Sequence, residues 1–306
     1  MNWKLKAVVQ KGISFLPAPF DHKVNYLMQK YVTKGVQLSD AYFLDRLEHA
    51  QKHITAYQQY AGSLEGIQTL ELGTGWYPVV PISLFLVGAE QVRSLDLNPL
   101  THRAHWERCL EVFVEKEVAV RAALPILEER WAILQVLAKD SRHLDDAAFL
   151  AQLRLSFLLG DARELREFKE QSIQLIHSNN TFEHVHPAAL RQILQRFQQL
   201  LAPKGLMSHF VDMSDHFAHA DPNITIYNFL QFTPKQWARI DNEVQPQNRW
   251  RLPQYLALYQ ELGLNLLAEE HRPGRPEEVK TVAIDKSFSQ FTVVELAVSH
   301  VYLWSR

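Results

Sequence analysis

The 306-residue sequence predicts an α/β fold built on a mostly parallel sheet. Three observations lead there. Short apolar runs recur along the chain, and most end in Gly, Asp, Ser or Asn. Segments with apolar residues at three- and four-residue spacing separate them. The composition, 47% hydrophobic and 22% charged, is that of a packed chain and argues against disorder.

Residues 22 to 60 read as helical, through Val24, Leu27, Met28, Tyr31 and Val32, then Phe43, Leu44 and Leu47 after a break at Leu38-Ser39-Asp40. Ser39 or Asp40 suits the N-cap of the second helix. Gly66 to Leu72 is the first expected strand and ends in Gly73-Thr74-Gly75; Gln91 to Leu97 is the second. Residues 102 to 153 are rich in Leu, Ala, Glu and Arg and read as two or three helices replacing a shorter connection. Leu153 to Leu159 and Ser172 to His177 are the third and fourth strands. A helix over Pro187 to Leu201 stops at Pro203-Lys204-Gly205, and Leu206 to Val211 is the fifth strand. Val244 to Arg251 reads as loop and Leu252 to Leu262 as helix; Leu264 to Leu267 and Phe291 to Trp304 complete seven strands. The expected architecture is therefore a Rossmann-like, mostly parallel seven-stranded sheet flanked by helices. A helical extension covers residues 1–62 and the core covers 63–306, with a helical insertion over 102–153 and a lid over 213–251.

Other classes are disfavoured. Lys plus Arg is 32 and Asp plus Glu is 34, a net charge of −2, so no global field is available to hold a nucleic-acid backbone. The longest apolar run, Val79 to Ala89, falls short of the about 20 residues of a membrane span. Cys109 is the only cysteine, which excludes an intrachain disulfide. The stretch from Met1 to Lys11 is too short and too broken for a signal peptide, so a cytoplasmic protein is the expectation.

In sheets of this kind ligands bind beyond the carboxyl ends of the strands. The residues there are Gly73 to Gly75, Asp96, Asp161, Ser178 to His184 and Asp212 to His219. Glycines let a backbone turn sharply and approach a ligand closely. A dinucleotide fingerprint would place a small residue at position 78, where this chain has Pro78. Asp96, 21 residues after Gly75, is placed to accept hydrogen bonds from two ribose hydroxyls.

Glu71-Leu72-Gly73-Thr74-Gly75 resembles the first motif of class I S-adenosylmethionine-dependent methyltransferases. Asp96, Gly160-Asp161-Ala162, and the polar stretch Ser178 to Thr181 followed by Phe182-Glu183-His184 resemble the family's later motifs, in the family's order. Residues 24–34, Asp212 to His219 and Gln247 to Leu252 resemble segments of a bacterial group associated with surface-polysaccharide and other small-molecule pathways. The resemblance implies S-adenosylmethionine as cofactor. It assigns cofactor binding to Glu71, Gly73, Thr74, Gly75, Asp96, Leu97, Asp161, Ala162, Ser178 and Asn179. It also implies methyl transfer to a small molecule, at a hydroxyl of a sugar-like or other polar metabolite.

A hydroxyl acceptor must lose a proton during transfer, a task for a positioned histidine. Histidines gather near the fourth and fifth strand ends. His216, beside Asp215, is the first choice for the base, and His184, beside Glu183, the second. Asn180, His219, Tyr227, Asn248 and Arg249 are the candidate acceptor-binding residues, Arg249 for its ability to grip a carboxylate or phosphate. The aromatic residues of 213–251 suit a lid over the acceptor or a small packed subdomain. Trp76 and Tyr77 suit a cation–π contact with the sulfonium, or packing under the following helix. The spacing of Asp212, Asp215, His216 and His219 matches no metal motif, so no metal is expected. The alternatives are an amine acceptor, a nucleotide-cofactor oxidoreductase, and a cofactor-binding protein without catalysis.

Overall fold

The computed structural model describes residues 2–15, 37–243 and 245–306. The helix expected over 24–34 lies outside them. In chain order the elements are α1 (Trp3–Ile13), α2 (Asp40–Tyr60), β1 (Gln68–Leu72), α3 (Val79–Leu86), β2 (Gln91–Asp96), α4 (Arg103–Glu115), α5 (Glu117–Ala123), α6 (Glu128–Lys139), α7 (Asp146–Gln152), β3 (Leu155–Leu159) and β4 (Ile173–Asn179). They continue with α8 (Pro187–Leu200), β5 (Leu201–Asp212), α9 (Pro234–Ile240), α10 (Leu252–Glu261), β6 (Leu266–Arg272), α11 (Pro276–Val279), α12 (Val293–Ala297) and β7 (His300–Ser305). Short 3₁₀ turns lie at Phe182–His184, Asn228–Gln231 and Lys286–Phe288.

The seven strands form one sheet in the order β3-β2-β1-β4-β5-β7-β6. β1 to β5 are parallel to their neighbours, and β7 runs antiparallel to both β5 and β6. The order reverses between β1 and β4, which brings the end of β1 beside the end of β4, with Leu72 opposite Ser178. That switch point is where an α/β sheet opens a crevice for a ligand.

Local chemistry accounts for the helices that frame the crevice. The Ser39 side chain accepts from the Tyr42 amide at 3.2 Å and starts α2. Pro187 opens α8, where its missing N–H costs nothing. Every residue of α3, directly after the glycine loop, is buried, as expected of a helix apolar on all sides. One hydrophobic cluster joins α2, α3, α4, α6 and α7 through Phe43, Phe85, Phe113, Trp131 and Phe149. A second cluster holds α8 and α10 on the other face of the sheet. A third lies in the 213–251 segment, where Phe217, Tyr227, Phe229 and Trp237 pack with Phe288, Leu296 and Ala7 of α1.

Three expectations change. Residues 102–153 form four helices, because Pro125 and the Asp140 to Asp145 stretch break the run twice and Lys116 divides α4 from α5. The final strand begins at His300, since Thr292 and Glu295 exchange side-chain and backbone bonds in a capping box that draws Val293 and Val294 into a helix. β5 begins at Leu201 and runs through Pro203-Lys204-Gly205, where Lys204 takes φ +67° and the pairing with β4 is irregular.

Candidate functional site

The glycine loop after β1 holds two left-handed residues, Gly73 at φ +87° and Gly75 at φ +64°. A methyl group built on Gly73 would lie 2.3 Å from Thr181 Oγ1, so glycine is required for the β1 and β4 ends to approach this closely. At Gly75 the same position faces open space. Below the loop, Ser94 Oγ donates to Glu71 Oε2 at 2.5 Å, and Thr74 Oγ1 lies 2.7 Å from Ser94 Oγ. Glu71 is buried, and that burial pushes its carboxyl up to about 8 against the pull of the Ser94 bond. The unfolded chain releases this proton near pH 4.5 and the folded one near 8, so stability falls as pH rises across that window. Glu71→Gln should therefore outlast the parent in thermal unfolding by a margin that grows from pH 5 to 8, reaching a few kcal/mol. Parallel melting curves across that range would refute the buried, protonated state.

Asp96 at the end of β2 accepts from the Asn98 amide at 3.0 Å. Burial raises its pKa, while the amides of Asn98, Gly75 and Thr74 favour the charged form and close the loop onto it. Leu97 and Leu159 stand exposed at the neighbouring ends of β2 and β3, where Asp96 and Leu159 pair in register. Ala162 is buried. The Asp161 carboxylate accepts from Arg163 Nε at 2.8 Å and from the Arg163 amide at 2.9 Å, contacts that lower its pKa.

Several assignments change. Ser178 Oγ faces His209 Nδ1 at 2.8 Å and Asn179 Oδ1 faces His53 Nε2 at 2.9 Å, both buried, so their side chains turn into the core. Asn180 Oδ1 accepts from Arg46 at 2.8 Å. Trp76 and Tyr77 pack on His105. Arg249 donates to the carbonyls of Phe229 and Phe232 at 2.8 and 2.6 Å between the Trp237 and Phe288 rings; it ties the 213–251 segment together and is no free anion grip. Asn248 donates to the Phe182 and Val185 carbonyls at 2.8 and 2.9 Å, clamping the turn that carries Glu183 and His184. Tyr227 is fully buried; its hydroxyl donates to the Ala297 carbonyl and accepts from the Arg275 amide, both at 2.9 Å. Tyr227→Phe should cost about 1–2 kcal/mol in chemical denaturation and leave acceptor KM unchanged. A raised KM at unchanged stability would restore Tyr227 to the acceptor site.

The histidines do converge. The rings of His184 and His216 lie 4.8 Å apart, and His219 stacks on His216 at 5.4 Å with its Nε2 3.3 Å from Ser214 Oγ. The partner of His216 is Asp212, not Asp215. His216 Nε2 is 3.4 Å from Asp212 Oδ2, whereas Asp215 accepts from the Phe217 amide and from Asn228 at 2.8 and 3.0 Å. The second Asp212 oxygen faces His300 Nε2 at 3.3 Å, across the β5–β7 register. Burial alone would raise the Asp212 carboxyl, but His216, His300 and Ser214 hold it well below the usual range. His184 Nδ1 meets the Pro246 carbonyl at 2.6 Å; a carbonyl only accepts, so the proton sits on Nδ1 and Nε2 offers a lone pair. Burial, with His216 adding to it, pushes His184 down to about 4. Glu183 is 2% exposed, neither carboxylate oxygen has a hydrogen-bond partner among the described residues, and burial raises its pKa well above the usual range.

Residues 133–205, from α6 into β5, match the model of a methyltransferase domain family. Solved structures of similar fold include an S-adenosylmethionine-dependent methyltransferase from Mesorhizobium loti, 12% identical over 85% of this chain and 99% of that one at a TM-score of 0.45. Another is the 1,6-didemethyltoxoflavin-N1-methyltransferase of Burkholderia thailandensis, solved with S-adenosylhomocysteine: 15% identical over 95% of this chain and 91% of that one, TM-score 0.48. No curated protein matches the sequence. The 133–205 stretch is similar to methyltransferase domains, and the strand it runs into belongs to the seven-stranded sheet described above. Among the described residues no helix is long and apolar enough to cross a membrane.

Proposed function

We propose that this protein methylates a hydroxyl group of a small polar molecule, sugar-like in character, with His216 as the base. The observation that carries this reading is the Asp212–His216 pair, Asp212 buried and His216 half-buried, after β5 and next to His184 after β4. Bound S-adenosylmethionine supplies an electrophilic methyl group on a positively charged sulfur.

The crevice residues fit that cofactor. The open face at Gly75 lets its amino-acid portion approach the backbone, and the Asp96 carboxylate is placed for the ribose hydroxyls. Leu97 and Leu159 offer an apolar bed for a flat base, which covers surface that otherwise faces water. His216 then takes the hydroxyl proton as the oxygen–carbon bond forms and the carbon–sulfur bond breaks. Asp212 fixes the ring and stabilises the imidazolium that results. His184, with its depressed basicity, is suited to accept a hydrogen bond from the acceptor and hold it in line.

The test is transfer of labelled methyl from S-adenosylmethionine to panels of hydroxylated and amine acceptors, with NADH in a parallel binding titration. Methylation confined to hydroxyls supports the reading. Methylation confined to amines would remove the base, and NADH binding in place of the sulfonium would remove the donor.

A further inference from the structure

We propose that Glu183, His184 and His216 form a binding site for one divalent transition-metal ion of the zinc type. One ligand atom from each lies within 4.8 Å of the other two. Two imidazoles and one carboxylate are the donor set that zinc and its first-row neighbours accept with a coordination position left open.

Each side chain is prepared for the task. Glu183 is buried, and both its oxygens lack a partner among the described residues, a state that costs stability unless something fills it. His184 gives its Nδ1 proton to the Pro246 carbonyl at 2.6 Å, the outer contact that typically fixes a ligating imidazole and presents its Nε2. Asn248 holds the turn bearing both residues through the Phe182 and Val185 carbonyls. His216 is half-buried, its Nε2 makes no hydrogen bond, and the charged Asp212 Oδ2 stands 3.4 Å from it. Asp212 lies outside the three-ligand set and adds a negative charge beside the ion, so the fourth coordination position stays open.

The inference rests on the acceptor-site reading above and deepens it. In the loaded protein His216 is a ligand, and the ion would lower the pKa of an acceptor hydroxyl bound at the open position, so that its proton passes to solvent water before the oxygen takes the methyl group. In the metal-free protein the same histidine is the base.

The experiment is calorimetric titration of the metal-stripped full chain with Zn²⁺ alone, paralleled by the visible absorption of bound Co²⁺. One equivalent should bind. Glu183→Gln and His216→Asn should each weaken binding at least about 10–100-fold, the loss seen even for outer-shell partners. His271→Ala, which removes an exposed histidine beside Glu269, should change nothing. A melting curve on each variant confirms that it is folded. The proposal is overturned if no saturable site appears, or if binding survives both substitutions, or if His271→Ala abolishes it. Methyl transfer that needs His216 in a protein that binds no ion would remove the metal and leave the acceptor reading standing. A bound ion with no methyl transfer would do the reverse.

Discussion

Replacing Gly73 with alanine should cut S-adenosylmethionine affinity by about 100-fold and lower the melting temperature of the ligand-free protein. Two costs coincide at this position. The backbone sits at φ +87°, where a side chain costs roughly 1–2 kcal/mol. The added methyl also lies 2.3 Å from Thr181 Oγ1 and 3.2 Å from its Cγ2, an overpacking worth roughly 1–3 kcal/mol. Thr181 has little freedom to retreat, because its hydroxyl donates to the carbonyls of Leu72 and Asn179 at 3.1 and 3.0 Å. The loop must shift instead, and it is the loop proposed to hold the cofactor. Adding Thr181→Ala to Gly73→Ala removes the clash and keeps the backbone strain, so about half the loss should return. Calorimetry of the two variants separates the contributions. Parental affinity in Gly73→Ala would show that the cofactor does not lie on this loop.

His216→Ala should lower kcat for a hydroxyl acceptor by about 10²–10⁴ while leaving S-adenosylmethionine affinity within a few-fold of the parent. The split follows from place. His216 belongs to the loop after β5, whereas the residues proposed to hold the cofactor follow β1, β2 and β3. His184→Ala should cost less, since a ring pushed down to about 4 is a poor proton acceptor at neutral pH. Asp212→Asn tests the pair itself. It removes the charge that faces both His216 and His300, so kcat for a hydroxyl acceptor should fall while S-adenosylmethionine affinity stays within a few-fold of the parent. An unchanged rate in His216→Ala would end the base assignment, and an acceptor that is already neutral and nucleophilic, such as an amine, would then fit the pocket better.

What the sequence by itself determined is the scaffold and the backbone of the loops at its switch point. Strand periodicity, the two glycines and the acidic residue after β2 are local features, each carried by a few consecutive residues. Gly73 and Gly75 do take the left-handed conformations their position requires, and Asp96 does end β2. The side-chain partners beyond β4 and β5 were decided by tertiary structure. Asp215 neighbours His216 in the chain but turns to Asn228, while Asp212 reaches it across a turn and meets His300 across a strand pair. Asn248, Arg249 and Tyr227 look like ligand-binding groups in isolation. Backbone carbonyls left open by the irregular 213–251 segment and its surroundings claim them first, because a buried carbonyl without a donor is costly. Glu183 is the converse: a carboxylate that helix and strand chemistry leaves unsatisfied, and whose place beside His184 and His216 exists only once β4 and β5 lie side by side. Side chains that bind by sequence-local geometry are readable from the chain. Those whose partners arrive from distant strands are not, because hydrogen-bond satisfaction is settled by packing.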